Sequence, residues 1–270
     1  MLRKLVLALA VLSLAVMTLV KSGPAKASPD MQTITLNTGF DHGTQMKYPV
    51  ASNVAPLGPA FGPVDEYWTV IKDPVNGTAP HAANNINAYP GAWKPAQGES
   101  QWISYSPTGS QQLKQGSYYY QKCFCMTKTL WDNKDAISQS SLKVSVRADD
   151  GFYLGLNTVP DQNPIPNPLT YQLKSGSGVG GFGSPPAVWS IAGDQLAKML
   201  HPGRNCLTVR VDDTGGVITG FNLEGSLTTT GIDGIAKTSS PKSAAQFNSC
   251  SSCGKIKSDS ALEIQSGALR

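Results

Sequence analysis

Two copies of one short pattern carry the residues most able to do chemistry. Residues 146–151 read VRADDG and residues 209–214 read VRVDDT, so adjacent aspartates follow Val, Arg and an apolar residue twice. Adjacent carboxylates can act as an acid–base pair, supply oxygen ligands to calcium, or close turns by accepting backbone N–H groups. The four carboxylates concerned are those of Asp149, Asp150, Asp212 and Asp213.

Turn formation accounts for both pairs without a ligand. In strands of period-2 alternation, the Arg and the first Asp of each copy share the outward face, and the second Asp enters a turn. Asp150-Gly151, and Asp213 before Thr-Gly-Gly, are typical turn sequences. We therefore expect a hairpin with Asp150 and Gly151 near its tip. A calcium site at Asp149, Asp150, Asp212 and Asp213 stays open as the alternative, provided that the two loops converge.

Other motifs do not indicate an enzyme. Residues 176–181 match G-x-G-x-x-G, but Phe-Gly-Ser-Pro-Pro follows where a dinucleotide fingerprint needs a helix. The three histidines, His42, His81 and His201, lack the spacing of a zinc site or a catalytic triad. Adjacent aspartates are also expected to point in different directions, unlike the two separated carboxyls of a glycosidase. We predict a non-catalytic protein with no cofactor other than a possible calcium ion.

The first 27 residues have the three parts of a secretory signal peptide. Arg3 and Lys4 precede an apolar run over residues 5–20, and Ala25-Lys26-Ala27 supplies a small-residue cleavage site. The run is shorter than the roughly 20 residues of a membrane span. We expect cleavage after Ala27 and a secreted, periplasmic or cell-surface protein with no integral membrane segment left.

Removal of this segment makes the chain neutral. It carries four of the 22 Lys and Arg residues and none of the 18 Asp and Glu residues, which leaves 18 of each sign. Nucleic-acid and anionic-membrane partners both need a basic surface, so neither is expected.

The pattern of short alternating segments predicts an all-β fold, an antiparallel β-sandwich with long loops. Gly (27) and Pro (19) are abundant, and apolar residues alternate with polar ones from Leu142 to Asn157, from Cys206 to Asp212 and from Phe221 to Leu227. We assign residues 28–228 to the sandwich, with residues 28–100 as a loop-rich elaboration. Residues 229–270 are rich in Ser and Lys and are expected to form a flexible tail that contains Cys-Ser-Ser-Cys.

Residues 100–228 resemble a galactose-binding-like jelly roll, the fold of many carbohydrate-binding modules and of sugar-binding domains in glycoside hydrolases. The resemblance lies in the strand that reaches Leu156-Asn157, in Gly203-x-Asn205-x-Leu207, in the strand at 221–227 and in SYYYQKCFCM at 117–126. It implies a jelly-roll sandwich and sugar binding. The insertion over 160–186 departs from the pattern, so the binding residues of relatives are not carried through it.

Aromatic residues provide further candidates for ligand binding. Aromatic rings suit the apolar faces of sugars. Because Trp102 and Trp189 fit core positions, Trp93, Tyr89 and Tyr153 remain as ligand-binding candidates beside Asp149 and Asp150.

The five cysteines lie in a chain expected to be exported, where pairing is usual. We expect a bridge from Cys206 to either Cys123 or Cys125, and a local pair between Cys250 and Cys253.

We therefore predict an exported module that binds a glycan or cell-wall polymer. The alternative, favoured by the odd cysteine and the tail, is a structural or accessory subunit whose partners are the other subunits of an extracellular or envelope assembly.

Overall fold

Strands dominate the described part of the chain, as the sequence predicts. The computed structural model describes residues 30–48, 64–77, 80–86, 92–106, 114–127, 134–157, 170–173, 179–236 and 253–255. Within them, 13 strands join one antiparallel sheet and two more form a small separate pair. The predicted all-β class is confirmed.

The strands are β1 (Gln32–Thr35), β2 (Phe40–Asp41), β3 (Met46–Lys47), β4 (Val64–Lys72), β5 (His81–Ile86), β6 (Trp102–Ser104), β7 (Gly116–Met126), β8 (Ser141–Asp149), β9 (Gly151–Leu156), β10 (Thr170–Leu173), β11 (Ala187–Ala192), β12 (Gly203–Asp213), β13 (Gly220–Thr229), β14 (Ile232–Ala236) and β15 (Cys253–Lys255). The described helices are α1 (Lys134–Gln139) and α2 (Gly193–Met199).

The large sheet curls into two facing halves. One half contains β9, β12 and β7, and the other contains β13, β8 and β11; β4, β5 and β6 connect them. The ring of Phe221 on β13 lies 5.2 Å from that of Trp68 on β4 and 4.7 Å from that of Tyr120 on β7, centroid to centroid. These contacts pack the inner faces of the two halves against each other, as in a β-sandwich.

Alternation in the sequence places the core. Every second residue of β8 from Leu142 to Ala148, and of β12 from Leu207 to Val211, is buried. Polar partners such as Arg210 and Lys143 point away from this core and are less buried. Apolar residues of β9, β11 and β13 join the same core, including Leu154, Trp189 and Phe221, so one hydrophobic cluster runs through both halves.

The predicted hairpin at Asp150 is wrong. β8 pairs with β11 and β13, whereas β9 pairs with β10 and β12. The chain therefore crosses from one half of the sandwich to the other at Asp150 instead of turning back beside itself. Alternation indicates which residues face the core, but it does not identify the neighbouring strand.

Residues before 100 are part of the sandwich. β1 pairs with β13, and β4 pairs with both β5 and β7. Trp68 and Val70 on β4 are fully buried. The region that we predicted to be a loop-rich elaboration thus supplies strands to both halves, although residues 49–63 and 87–91 within it lie outside the described part.

The sheet also continues past residue 228, where we predicted a flexible tail. β14 pairs with β7, and β15 pairs with β14. Ile232 and Ile235 are buried in the core cluster, which explains why this stretch of the tail joins the sheet. Residues 237–252 and 256–270 lie outside the described part.

A disulfide joins β7 to β12. Cys123 and Cys206 face each other in the strand register, and their sulfur atoms are bonded. Of the two predicted partners of Cys206, Cys123 is the one observed. Disulfides form and persist in oxidising compartments such as the extracellular space or the periplasm.

A second bond involves Cys125, which is also disulfide-bonded. Cys250 and Cys253, which we predicted to pair with each other, are the remaining cysteines of the sequence. Their side chains lie outside the described part. We expect peptide mapping of the non-reduced protein to find Cys125 joined to Cys250 or Cys253. A map in which Cys250 and Cys253 are joined to each other would contradict this expectation.

The predicted signal peptide, residues 1–27, precedes the described part of the chain. Residues 1–29 lie outside the described part. Among the residues that are described, no helix has the length and apolar character needed to cross a membrane.

Candidate functional site

A surface cavity collects three of the four aspartates from the opening pattern. It has a volume of about 250 Å³ and is lined by Asp149, Asp150 and Asp213 together with Trp93 and Phe182. Smaller or aliphatic residues complete the lining, namely Ala92, Gly215, Val217 and Ile218. Of the predicted ligand-binding residues, Trp93, Asp149 and Asp150 are therefore brought together in one place.

The two aspartate pairs meet because of the strand topology. Asp149 ends β8, Asp150 lies in the crossing to β9, and Asp213 ends β12. β9 and β12 are neighbours, and the backbone N–H of Asp150 donates to the carbonyl of Asp212 at 3.0 Å. The crossing at Asp150 thus places the end of β8 beside the end of β12, which a hairpin would not have done.

Two loops build the wall of the cavity over the outer face of β8. The loop over residues 92–98 contributes Trp93, and the loop over residues 179–186 contributes Phe182. The side chain of Arg147 holds both loops: Nε donates to the carbonyl of Ser184 at 2.9 Å, and a terminal nitrogen donates to the carbonyl of Pro95 at 3.0 Å. Arg147, the Arg of the repeated pattern, is therefore a positioning residue for the cavity.

Trp93 is a buried wall, not an exposed platform. Its ring packs against Trp102 with centroids 4.4 Å apart, and only 6% of its surface is exposed. Its indole Nε1 donates to Oδ2 of Asp149 at 2.9 Å. Gly220 allows this approach, because a Cβ at that position would lie 2.9 Å from the Trp93 ring.

Turn chemistry is present at Asp213, as predicted, whereas Asp150 binds the turn after β12 instead of closing a hairpin of its own. Oδ1 of Asp213 accepts the backbone N–H groups of Gly215 at 2.9 Å and Gly216 at 2.7 Å. Oδ2 of Asp150 accepts the N–H of Thr214 at 2.9 Å and also its hydroxyl. The turn and the cavity use the same side chains, since Asp150 and Asp213 also line the cavity.

The cavity separates the pKa values of two neighbouring carboxyls. Burial, the hydrogen bond with Asp150 and the negative charges of Asp150 and Asp213 raise the pKa of Asp149 to about 7. Burial also opposes ionisation of Asp150, but hydrogen bonds from Thr214 outweigh it and lower the pKa of Asp150. Burial raises the pKa of Asp213 as well. Near neutral pH the cavity thus holds a partly protonated Asp149 beside an ionised Asp150.

The raised pKa of Asp149 makes stability depend on pH. Between about pH 4 and pH 7 the folded chain keeps a proton on Asp149 that the unfolded chain has lost, so stability falls as pH rises through this window. Asp149→Asn removes the effect. We expect urea denaturation to show that the free energy of unfolding of the variant, relative to that of the natural chain, increases by at most about 4 kcal/mol from pH 4 to pH 8.

The matched control for this effect is Asp194→Asn, which changes an exposed carboxylate on α2. It should alter stability by less than about 0.5 kcal/mol at either pH. The same stability difference between Asp149→Asn and the natural chain at pH 4 and at pH 8 would contradict the raised pKa.

Tyr153 and Asp212, two of the predicted site residues, lie outside this cavity. Tyr153 is on the outer face of β9, where the guanidinium of Arg210 lies 4.5 Å from its ring centroid. Asp212 is on the same face and accepts from Nε of Arg210 at 2.7 Å. Tyr153 is therefore not a lining residue of this cavity, and Tyr89 lies outside the described residues.

The predicted calcium set of four aspartates is divided by the same geometry. Asp212 faces Arg210, whereas Asp149, Asp150 and Asp213 face the cavity. Within the described ranges, no group of three or more His, Cys, Asp or Glu side chains is placed to hold a metal ion. The geometry therefore gives no support to calcium binding.

Sequence reasoning missed Phe182, Val217 and Ile218. Phe182 and Ile218 pack against the cluster of Ile86, Trp93 and Trp102, and Val217 is 65% exposed at the cavity. The sequence did hold one signal for this site: an apolar residue, Val217, directly follows the Asp-Thr-Gly-Gly turn, where polar residues are usual.

Comparisons with known proteins do not assign a family. No family model matches the chain, and no curated protein matches it. Among solved structures, the Stig cyclase Fisc from Fischerella sp. TAU, in complex with (3Z)-3-(1-methyl-2-pyrrolidinylidene)-3H-indole, is similar over 74% of this chain and 99% of its own. The two share 10% sequence identity with a TM-score of 0.31, which is too low to assign a fold or a function.

Proposed function

We propose that the protein is an exported, non-catalytic binding module of the galactose-binding-like jelly-roll type, and that its cavity takes part of a glycan. The observation that carries the proposal is the convergence of Asp149, Asp150 and Asp213 with Trp93 and Phe182 in one cavity at the strand ends. Binding residues of β-sandwiches are commonly supplied by loops that a rigid scaffold positions.

The chemistry of the cavity suits a sugar. Carboxylates accept hydrogen bonds from hydroxyl groups, and aromatic and aliphatic walls contact the apolar C–H faces of a sugar ring. The volume of about 250 Å³ is below the roughly 300–1,000 Å³ of a drug-sized site, so it suits one sugar unit at the end or side of a longer chain.

A second candidate is acid–base catalysis. It is favoured by one observation, the opposite displacement of the pKa values of Asp149 and Asp150. Enzymes separate the pKa values of neighbouring carboxyls in this way. Because Asp149 and Asp150 are adjacent and interact directly with each other, they are too close for the separated carboxyl pair of a glycosidase, so binding without cleavage remains the proposal.

The test is a panel of immobilised polysaccharides and cell-wall fractions, probed with protein purified from cells that express the whole sequence. Saturable binding to particular glycans with unchanged ligand would support the module, and release of cleavage products would support the second candidate. Absence of saturable binding throughout the panel, with self-assembly or a fixed protein partner instead, would overturn the proposal in favour of a structural subunit.

Variants locate the binding. Phe182→Ala removes a cavity wall, and we expect affinity for the glycan to fall at least about tenfold. Val188→Ala is the matched control because Val188 is 51% exposed on the edge strand β11 and does not line the cavity. Equal affinities of the two variants would place the site elsewhere.

A further inference from the structure

We infer that the ligand group held in this cavity is a protonated amine, as on a glycan with free amino groups. This inference rests on the proposed function and names the class of glycan. Its direct support is the arrangement of charge and hydrogen-bonding capacity around Asp213.

Asp213 has an oxygen without a partner. The residue is only 3% exposed, and while Oδ1 accepts two backbone N–H groups, Oδ2 is buried and has no hydrogen-bond partner among the described residues. Leaving a buried carboxylate oxygen unpaired is costly, so native structures rarely do so without a reason. A donor group of a ligand that enters the cavity would satisfy it.

The donor is expected to be positively charged. None of the described lining residues is Lys, Arg or His, whereas three are Asp. Arg147, the cation nearest along β8, is committed to the carbonyls of Ser184 and Pro95. The carboxylates of Asp150 and Asp213 thus have no compensating cation among the described lining residues. An ammonium group offers three N–H donors and one positive charge, which matches this set.

The apolar walls restrict what carries the amine. Phe182, Val217 and Ile218 line the same cavity. A small hydrated cation would leave these walls unused. An amino group on a sugar ring presents its charge to the aspartates and its C–H faces to the walls.

The test compares three oligosaccharides of the same β-1,4 backbone by isothermal titration. Glucosamine trisaccharide carries free ammonium groups, N-acetylglucosamine trisaccharide carries neutral amides, and cellotriose carries hydroxyls. We expect the glucosamine trisaccharide to bind about 10- to 100-fold more tightly than the other two, as for a hydrogen bond between charged groups.

Two variants locate the effect. Asp213→Asn keeps the Oδ1 acceptor for the turn but removes the charge, so the preference for the amine should fall about tenfold. Asp212→Asn is the matched control, because Asp212 is one residue away and faces Arg210 outside the cavity. Should Asp213→Asn fail to fold, Asp150→Asn gives the same readout from the other side of the cavity.

The outcomes separate the two proposals. Equal binding of all three sugars would overturn the amine inference and leave glycan binding standing. Binding of the amine that Asp213→Asn and Asp212→Asn reduce equally would overturn the inference too, because it would indicate attraction by general charge. Absence of binding to these sugars, with binding to other neutral glycans of the panel, would also overturn the inference. Absence of binding to every glycan would overturn the proposed function.

Discussion

Replacing both Cys123 and Cys206 with serine should lower the free energy of unfolding by about 4 kcal/mol. The bond joins positions 83 residues apart. Closing a loop of this length removes much conformational freedom from the unfolded chain, and the chain-entropy relation gives about 3 kcal/mol for 15 residues and about 4.7 for 100. Urea denaturation of the natural chain and the double variant, both in non-reducing buffer, measures the difference.

Reducing buffer provides the control for the cross-link. With the bond broken in both proteins, the natural chain and the double variant should unfold at urea concentrations that differ little. A loss below about 1 kcal/mol in non-reducing buffer would show that the bond constrains the unfolded chain far less than its loop length implies.

Lys122→Met should cost about 3 kcal/mol, although it replaces a charged residue with an apolar one of similar length. Lys122 is 1% exposed on β7, and its Nζ donates to the carbonyl of Asn37 at 3.1 Å. Burial lowers the pKa of Lys122 to about 8, while the charge of Asp65 opposes that shift. Asp65 is also buried and interacts electrostatically with Lys122, so removing the lysine takes away a positive charge that favours the ionised Asp65 carboxylate.

Asp65 is the buried residue whose charge interacts with Lys122. It is fully buried, and its carboxylate accepts backbone N–H groups from Gly39, Tyr67 and Trp68. The double variant Lys122→Met with Asp65→Asn should therefore lose less than the sum of the two single variants. Strict additivity in chemical denaturation would contradict the coupling between the two charges.

An exposed lysine serves as the control for the buried one. The side chain of Lys143 on β8 is exposed. Lys143→Met should change stability by less than about 0.5 kcal/mol. A loss as large as that of Lys122→Met would contradict the explanation that the cost of Lys122→Met comes from the burial of Lys122.

The alternation of residues was enough to predict β8, β9, β12 and β13 and the faces that they bury. Leu142, Val144 and Val146 on β8, and Val209 and Val211 on β12, are buried as predicted. This works because each strand buries one face and the side-chain period is 2. It did not predict which strands are neighbours, so the crossing at Asp150 was mistaken for a hairpin.

The candidate site was predictable only in part, for the same reason. Trp93, Asp149 and Asp150 were singled out, but the burial of Asp149 depends on loops that are distant in sequence. Arg147 is 52 residues from Pro95 and 37 residues from Ser184, the two carbonyls that it holds. Contacts of this range leave no local pattern, and neither does the burial of Lys122 beside Asn37, 85 residues away.

In the proposed function, the ligand binds between Trp93, Asp149, Asp150 and Asp213. This placement is tested most directly by two-dimensional NMR of the protein while a glycan that binds it is titrated. We predict the largest shift changes at the Nε1–H of Trp93, which donates to Asp149, and at the amides of Gly215 and Gly216, which donate to Asp213. Shift changes centred on Tyr153 and Arg210, on the outer face of β9 and β12, would contradict this placement.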